Sequence, residues 1–265
     1  RELNPKLVMC SITPFGQTGP HRNFKATDLV NMAVGFLSHM TGETDRAPLR
    51  WGAEQSYQTA CQYAAIGIVY ALYHRSATGE GQYIDISIQE CLYPLTGELD
   101  VPHTWYVERM NVTRVGARSL IRIPYGTYPC KDGPVVIAIL EAEQWEALAQ
   151  WIYEVTGEKE VLHDVYKGRF AAREPYREVI EHYLLQFTMR LTKAELMSEG
   201  QRRGIPICAV QNAEELVNCP QLAALGFFVE AEHPVVGKLK YPGAPYRIRE
   251  APWRLRQAAP RLGED

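Results

Sequence analysis

A chain of 265 residues with a formal charge of −3 can bury a substantial core, and its balance of charge gives no basis for a nucleic-acid surface. No apolar run is long enough to span a bilayer and no signal-peptide pattern opens the sequence, so a cytoplasmic protein is expected. Its six cysteines are scattered singly with no C-x-x-C pair, which fits reduced thiols and argues against a metal site or a disulfide framework.

In chain order, residues 7–12 read as a core strand, and a sequence that opens on one, without a methionine, suggests a missing upstream segment. Two glycines and two prolines make residues 13–20 a loop, either a ligand-facing turn at a strand end or a plain structural one. His21, Arg22 and Lys25 add cations beside Phe24. Thr27 and Asp28 can start a helix over residues 28–40, and a loop follows at 41–48.

Residues 59–73 carry almost no polar side chain on any face, which predicts a helix buried on all sides. A polar loop with two glycines follows at 74–81, and 83–88 alternates like a half-buried strand. A buried helix feeding a strand is an α/β signature, and any group just before the helix sits at its positive end. Residues 89–99 form a second helix weakened by Pro94, and 101–123 read as a linker. Its Arg109, Arg114, Arg118 and Arg122 either bind a substrate carboxylate or face water.

The texture changes at Pro124. A hairpin with a D-G turn is expected at 125–139, then helices over 143–155, 174–186 and 192–203, the last with a capping box of Thr192 and Glu195. A turn at 204–206 leads to a strand at 207–210. Residues 211–225 are helical in part, and 227–236 run into a Gly/Pro-rich exit at 241–245.

The ordered set F-G-Q-T-G-P at 15–20, A-I-G-I at 65–68, A-L-Y-H-R at 71–75, T-G-E-G-Q at 78–82 and Y-I-D-I-S at 83–87 resembles the class III CoA-transferase family, of the formyl-CoA transferase, carnitine CoA-transferase and α-methylacyl-CoA racemase type. Further likeness runs through Y-P-C-K-D-G at 128–133 and G-I-P at 204–206 to P-R-L-G-E at 260–264. The resemblance implies an α/β fold: a Rossmann-like large domain (1–123, without the family's N-terminal segment), a small α+β domain (124–225), and a return segment toward the large domain (226–265). It further implies interlocked homo- or heterodimers with a class III homologue, and coenzyme A or acyl-CoA as substrate with no metal. Lys25, Ala26, Thr27 and Asp28 match the residues that touch CoA, with Lys25 the cation for a phosphate.

The family's chemistry needs an aspartate at the start of the central helix. Its carboxylate attacks the acyl-CoA thioester to give a mixed anhydride, then carries CoA as an aspartyl thioester before passing it to the acceptor acid. Counting from Gly67 puts that position at Tyr57, and a slip of one residue gives Ser56 or Gln58. A phenol cannot run this cycle. Glu54 is the nearest acid in sequence and could stand in only after a rearrangement of the loop. In the racemase pattern a histidine precedes Asp28, and here that position is Thr27, so two acid/base groups are lacking. The expectation is a degenerate subunit supporting a catalytic homologue, with a transferase using Glu54, or an acyl-CoA-binding or assembly protein, as alternatives.

Overall fold

The computed structural model describes residues 3–96, 101–119 and 121–264. The chain divides into two compact units: Arg1–Thr127 with Ala138–Ala142 and Asp164–Ile180, and Tyr128–Ile137 with Glu143–His163 and Glu181–Asp265.

The first unit is built on two parallel strands, β1 (Met9–Thr13) and β2 (Tyr83–Ser87), in register from Met9 opposite Tyr83 to Thr13 opposite Ser87. Parallel neighbours need a long crossover. Here it is made by α1 (Asp28–Val34), α2 (Leu37–Met40) and α3 (Gln55–Thr78). The predicted core strand is only half buried, because Met9 and Ile12 stand exposed. The single helix expected over 28–40 is broken: Gly35 lies so close to Leu92 that a side chain there would clash, and Phe36 takes a left-handed conformation.

α3 is longer than predicted. Nothing in residues 74–78 breaks a helix, so it runs through more than half of the expected loop and ends at Gly79, whose left-handed backbone forms the C-cap. Gly81 follows with its amide on the Pro5 carbonyl at 2.8 Å, too close to Leu7 for a side chain. Burial on all sides is not observed. Ser56, Thr59, Ala60, Ala64 and Ala71 are buried, whereas Ile66, Val69, Tyr70 and Tyr73 are exposed. The described residues supply cover for one face only.

After β2, α4 (Ile88–Leu92) is capped by the Ser87 hydroxyl, which accepts the Glu90 amide. Pro94 falls in a 3-10 turn (Tyr93–Thr96), so the predicted helix is shorter, and 97–99 lie outside the described residues. The expected linker contains α5 (Val101–Tyr106) and is well anchored. Arg114 donates to the carbonyls of His39, Glu43 and Arg46 at 3.2 to 3.4 Å, and the Arg122 guanidinium lies 5.5 Å from the rings of Tyr125 and Phe170. Arg173, which no motif marks, is fully buried and donates to the carbonyls of Ile123, Tyr166 and Gly168. Burial pulls its pKa down to about 10.

The predicted hairpin is present as β3 (Tyr125–Cys130) and β4 (Gly133–Ala138), and β5 (Ile207–Ala209) joins antiparallel to β4, giving the order β3-β4-β5. In the second unit α6 (Ala142–Thr156) buries Trp145, Leu148, Ala149, Trp151 and Ile152, and Trp151 meets Phe187 of α7 (Arg177–Thr188) edge to face at 4.7 Å. α8 (Lys193–Arg202) starts with the capping box of Thr192 and Glu195, as its sequence predicts. Two short helices, α9 (Ala213–Val217) and α10 (Pro220–Ala224), precede a hairpin of β6 (Phe228–His233) and β7 (Gly237–Pro242), whose second strand the sequence reading missed. Among the described residues no helix is long and apolar enough to cross a membrane.

Candidate functional site at the entrance of the long helix

A helix of 24 residues presents unbonded amides and a positive dipole end at its first turn. Ala53 and Glu54 enter it with left-handed backbones, and the Glu54 carbonyl accepts the amides of Tyr57 and Gln58 at 3.1 and 3.2 Å. The Glu54 side chain makes no capping bond. The cap comes instead from 28 residues upstream: Asp28 Oδ1 accepts both the Ser56 amide at 3.1 Å and the Ser56 hydroxyl at 2.8 Å. Asn31 Nδ2 reaches the same hydroxyl at 3.5 Å, and Arg50 Nε stands 3.5 Å from Asp28 Oδ2. Asp28 is 5% exposed, and its carboxylate lies between the first turn of α3 and the half-exposed Arg50.

Tyr57 belongs to a neighbouring apolar cluster. Its ring packs on Ala60, Ile88 and Cys91, beside Ile86. Trp51, just ahead of the helix, packs on Met32, Leu37 and Leu92 and donates its indole N–H to the Thr41 hydroxyl at 2.6 Å. The approach to α3 is thus fixed by ring packing on one side and by Asp28 on the other.

A second feature lies at the carboxyl ends of β1 and β2, where open α/β sheets place ligands. Gln17 of the glycine loop donates its amide to Asp85 at 2.9 Å, and a cavity of about 290 Å³ opens between Phe15, Gly19, His21, Asp85 and Glu90. His21 stacks on Phe24 at 4.5 Å, and Phe15 meets both rings edge-on. Behind the loop, burial and the neighbouring Asp85 push the Cys10 thiol up from its ordinary value.

The structure separates the residues singled out from the sequence. Lys25 and Thr27 are exposed and Ala26 is half-buried, next to the aromatic trio, whereas Asp28 is buried as the cap of α3. Glu54 is exposed at the helix entrance, and Tyr57 is part of the packing around α4. The pair that sequence reasoning missed is Asp28 with Ser56. A polar Ser56 ahead of an apolar helix was a signal, but nothing local named its partner.

A sequence model of CoA-transferase family III matches residues 1–265. The chain belongs to this family. It is 30% identical over 277 residues to the succinyl-CoA:(R)-benzylsuccinate CoA-transferase subunit BbsE of Thauera aromatica, covering 98% of this chain and 64% of the relative. It is 28% identical over 262 residues to the succinyl-CoA–L-malate CoA-transferase alpha subunit of Chloroflexus aurantiacus, with coverages of 98% and 60%. The chain thus spans under two thirds of the length of these relatives. A CaiB/BaiF family protein from Brucella suis superposes with a TM-score of 0.81 at 25% identity, covering 99% of this chain and 67% of that one. The mixed α/β fold is that of the class III CoA-transferases.

Proposed function

We propose that this chain is a class III CoA-transferase subunit that serves the movement of CoA between an acyl-CoA and a carboxylic acid by supporting a homologous subunit, which carries the nucleophilic aspartate. The two form a dimer, with Lys25 to Thr27 beside the CoA.

The entrance of α3 carries this reading. A nucleophilic carboxylate must reach a thioester carbonyl, and each acid near the entrance is badly placed for that. Glu54 is exposed and makes no capping bond that would fix it, although catalytic groups need placement to a fraction of an ångström. Asp28 is buried and spends Oδ1 on Ser56, with Oδ2 toward Arg50. Tyr57 is not a carboxylate, and it packs on Ala60, Ile88 and Cys91. Names of two relatives, a subunit BbsE and an alpha subunit, place those proteins in multi-subunit enzymes and support the same reading.

The test is a CoA-transfer assay with succinyl-CoA as donor and a panel of carboxylic acids as acceptors. The chain alone is expected to give no transfer, and transfer is expected when it is co-expressed with a class III homologue bearing aspartate at the position of Tyr57. Turnover by the lone chain that disappears in Glu54→Gln would overturn the proposal in favour of a self-sufficient transferase. Retained acyl-CoA binding with no turnover in either arrangement would point to a binding protein instead.

A further inference from the structure

Asp28 stands at a junction between two segments. It is the first residue of α1, directly behind Lys25, Ala26 and Thr27, so Lys25 is at most roughly 11 Å of extended chain away. Its Oδ1 reaches in the other direction to the first turn of α3, where it accepts the Ser56 amide at 3.1 Å and the Ser56 hydroxyl at 2.8 Å. A second path runs alongside. The Thr27 carbonyl accepts the Asn31 amide at 2.9 Å, and Asn31 Nδ2 reaches the same hydroxyl at 3.5 Å. Asp28, Asn31 and Ser56 are all buried, so bulk water does not compete for these bonds.

The entrance fastened by this tie is strained. Ala53 and Glu54, just ahead of Ser56, take left-handed backbones with φ of 61° and 52°, a conformation that side chains disfavour. Such residues persist only where the surroundings fix them, and they gather at functional sites. The tie also leaves polar groups short of partners: Asp28 Oδ2 and Asn31 Oδ1 are buried without a hydrogen bond among the described residues, and Oδ2 has only the ion pair with Arg50 at 3.5 Å. A residue at the helix start could cap α3 locally at less cost. The side-chain cap is drawn instead from the segment that follows Thr27.

We propose that Asp28 is a positioning residue that couples residues 25–27 to the first turn of α3, so that acyl-CoA bound beside Lys25 and an ordered helix entrance stabilise each other. This rests on the placement of CoA beside Lys25 to Thr27 and adds the path by which its binding is felt at the entrance. The path is a contiguous set of buried bonds, and ordering one of its ends leaves less freedom to be lost at the other. Coupling of this kind is reciprocal: cutting the tie weakens the ligand as well as the entrance.

The experiment measures succinyl-CoA affinity by calorimetry on the full chain, together with hydrogen exchange over residues 21–27 and 55–59 with and without succinyl-CoA. In the wild type the ligand should slow exchange in both segments. Asp28→Ala should confine the slowing to residues 21–27 and weaken binding by about 10-fold, the scale of an ordinary coupling. Asp28→Asn keeps an acceptor for the Ser56 amide and should restore both responses. Ser56→Ala, which removes one of the two bonds and leaves Asp28 in place, should show the same change in smaller measure and decides the matter if Asp28→Ala does not fold. An Asp28→Ala chain that unfolds at a lower temperature yet binds succinyl-CoA with wild-type affinity would overturn the proposal, because Asp28 is then a structural cap alone. Slowing over 21–27 without slowing over 55–59 in the wild type would overturn the coupling and leave the placement of CoA standing. Binding without slowing over 21–27, or no binding, would overturn that placement and the coupling with it.

Discussion

α6 and α3 are both rich in large apolar side chains, yet the described residues satisfy one and not the other. α6 is amphipathic: Trp145, Leu148, Ala149, Trp151 and Ile152 fall on one face and are all buried, while Glu143, Glu146, Gln150 and Glu154 take the other side. α3 is apolar nearly all round, buries mainly alanines, and leaves Val69, Tyr70 and Tyr73 to solvent. An amphipathic pattern says that its own unit is enough. A pattern without a polar face says that cover is needed on two sides, and it does not say who provides it.

The comparison can be broken by truncating each helix in turn. Trp145→Ala should produce the largest loss, about 3–5 kcal/mol, because it empties a fully buried site. Tyr70→Ala in the isolated chain should stay within about 0.5 kcal/mol, as exposed substitutions do. Urea denaturation of the two variants measures both, and an equal cost would mean that Tyr70 is already covered within the chain. Asp28→Ala should rank next, about 1–3 kcal/mol, by stranding the buried Ser56 amide and hydroxyl and removing the cap of α3. Asp28→Asn keeps an acceptor and should recover part of this loss. Removal of the Thr192 cap in Thr192→Ala should cost about 1 kcal/mol.

The smallest effect is expected at Glu199, whose carboxylate is held by Arg202 and Arg203 at a pKa of about 2. Its folded value lies below the ordinary glutamate value of about 4.3. Its contribution is therefore complete above that pH and lost as pH falls toward 2. Thermal unfolding followed from pH 5 to pH 2 should show a shallower acid decline in Glu199→Gln than in the wild type.

Much of the fold was legible because local chemistry decides it. The Thr192 and Glu195 pair names the start of α8, the D-G turn names the β3–β4 hairpin, and alternation names β2. What escaped depends on distant partners. The break at Gly35 follows from its approach to Leu92, the anchoring of the supposed linker follows from Arg114 reaching back to residues 39–46, and the burial of α3 depends on layers that sequence periodicity cannot count. At the candidate site the count to Tyr57 came only through the family resemblance, and the bond from Asp28 to Ser56, 28 positions apart, left no local signal. That bond ties the start of α3 to the first turn of α1.

Mass spectrometry of the chain after incubation with succinyl-CoA and hydroxylamine tests the central claim most directly, because hydroxylamine converts an anhydride or thioester on a carboxylate into a stable hydroxamate. No hydroxamate on this chain is expected, alone or in the complex, and the modification should appear on the aspartate of the homologous subunit. A hydroxamate at Glu54 or Asp28 would contradict the account and make this chain a transferase in its own right.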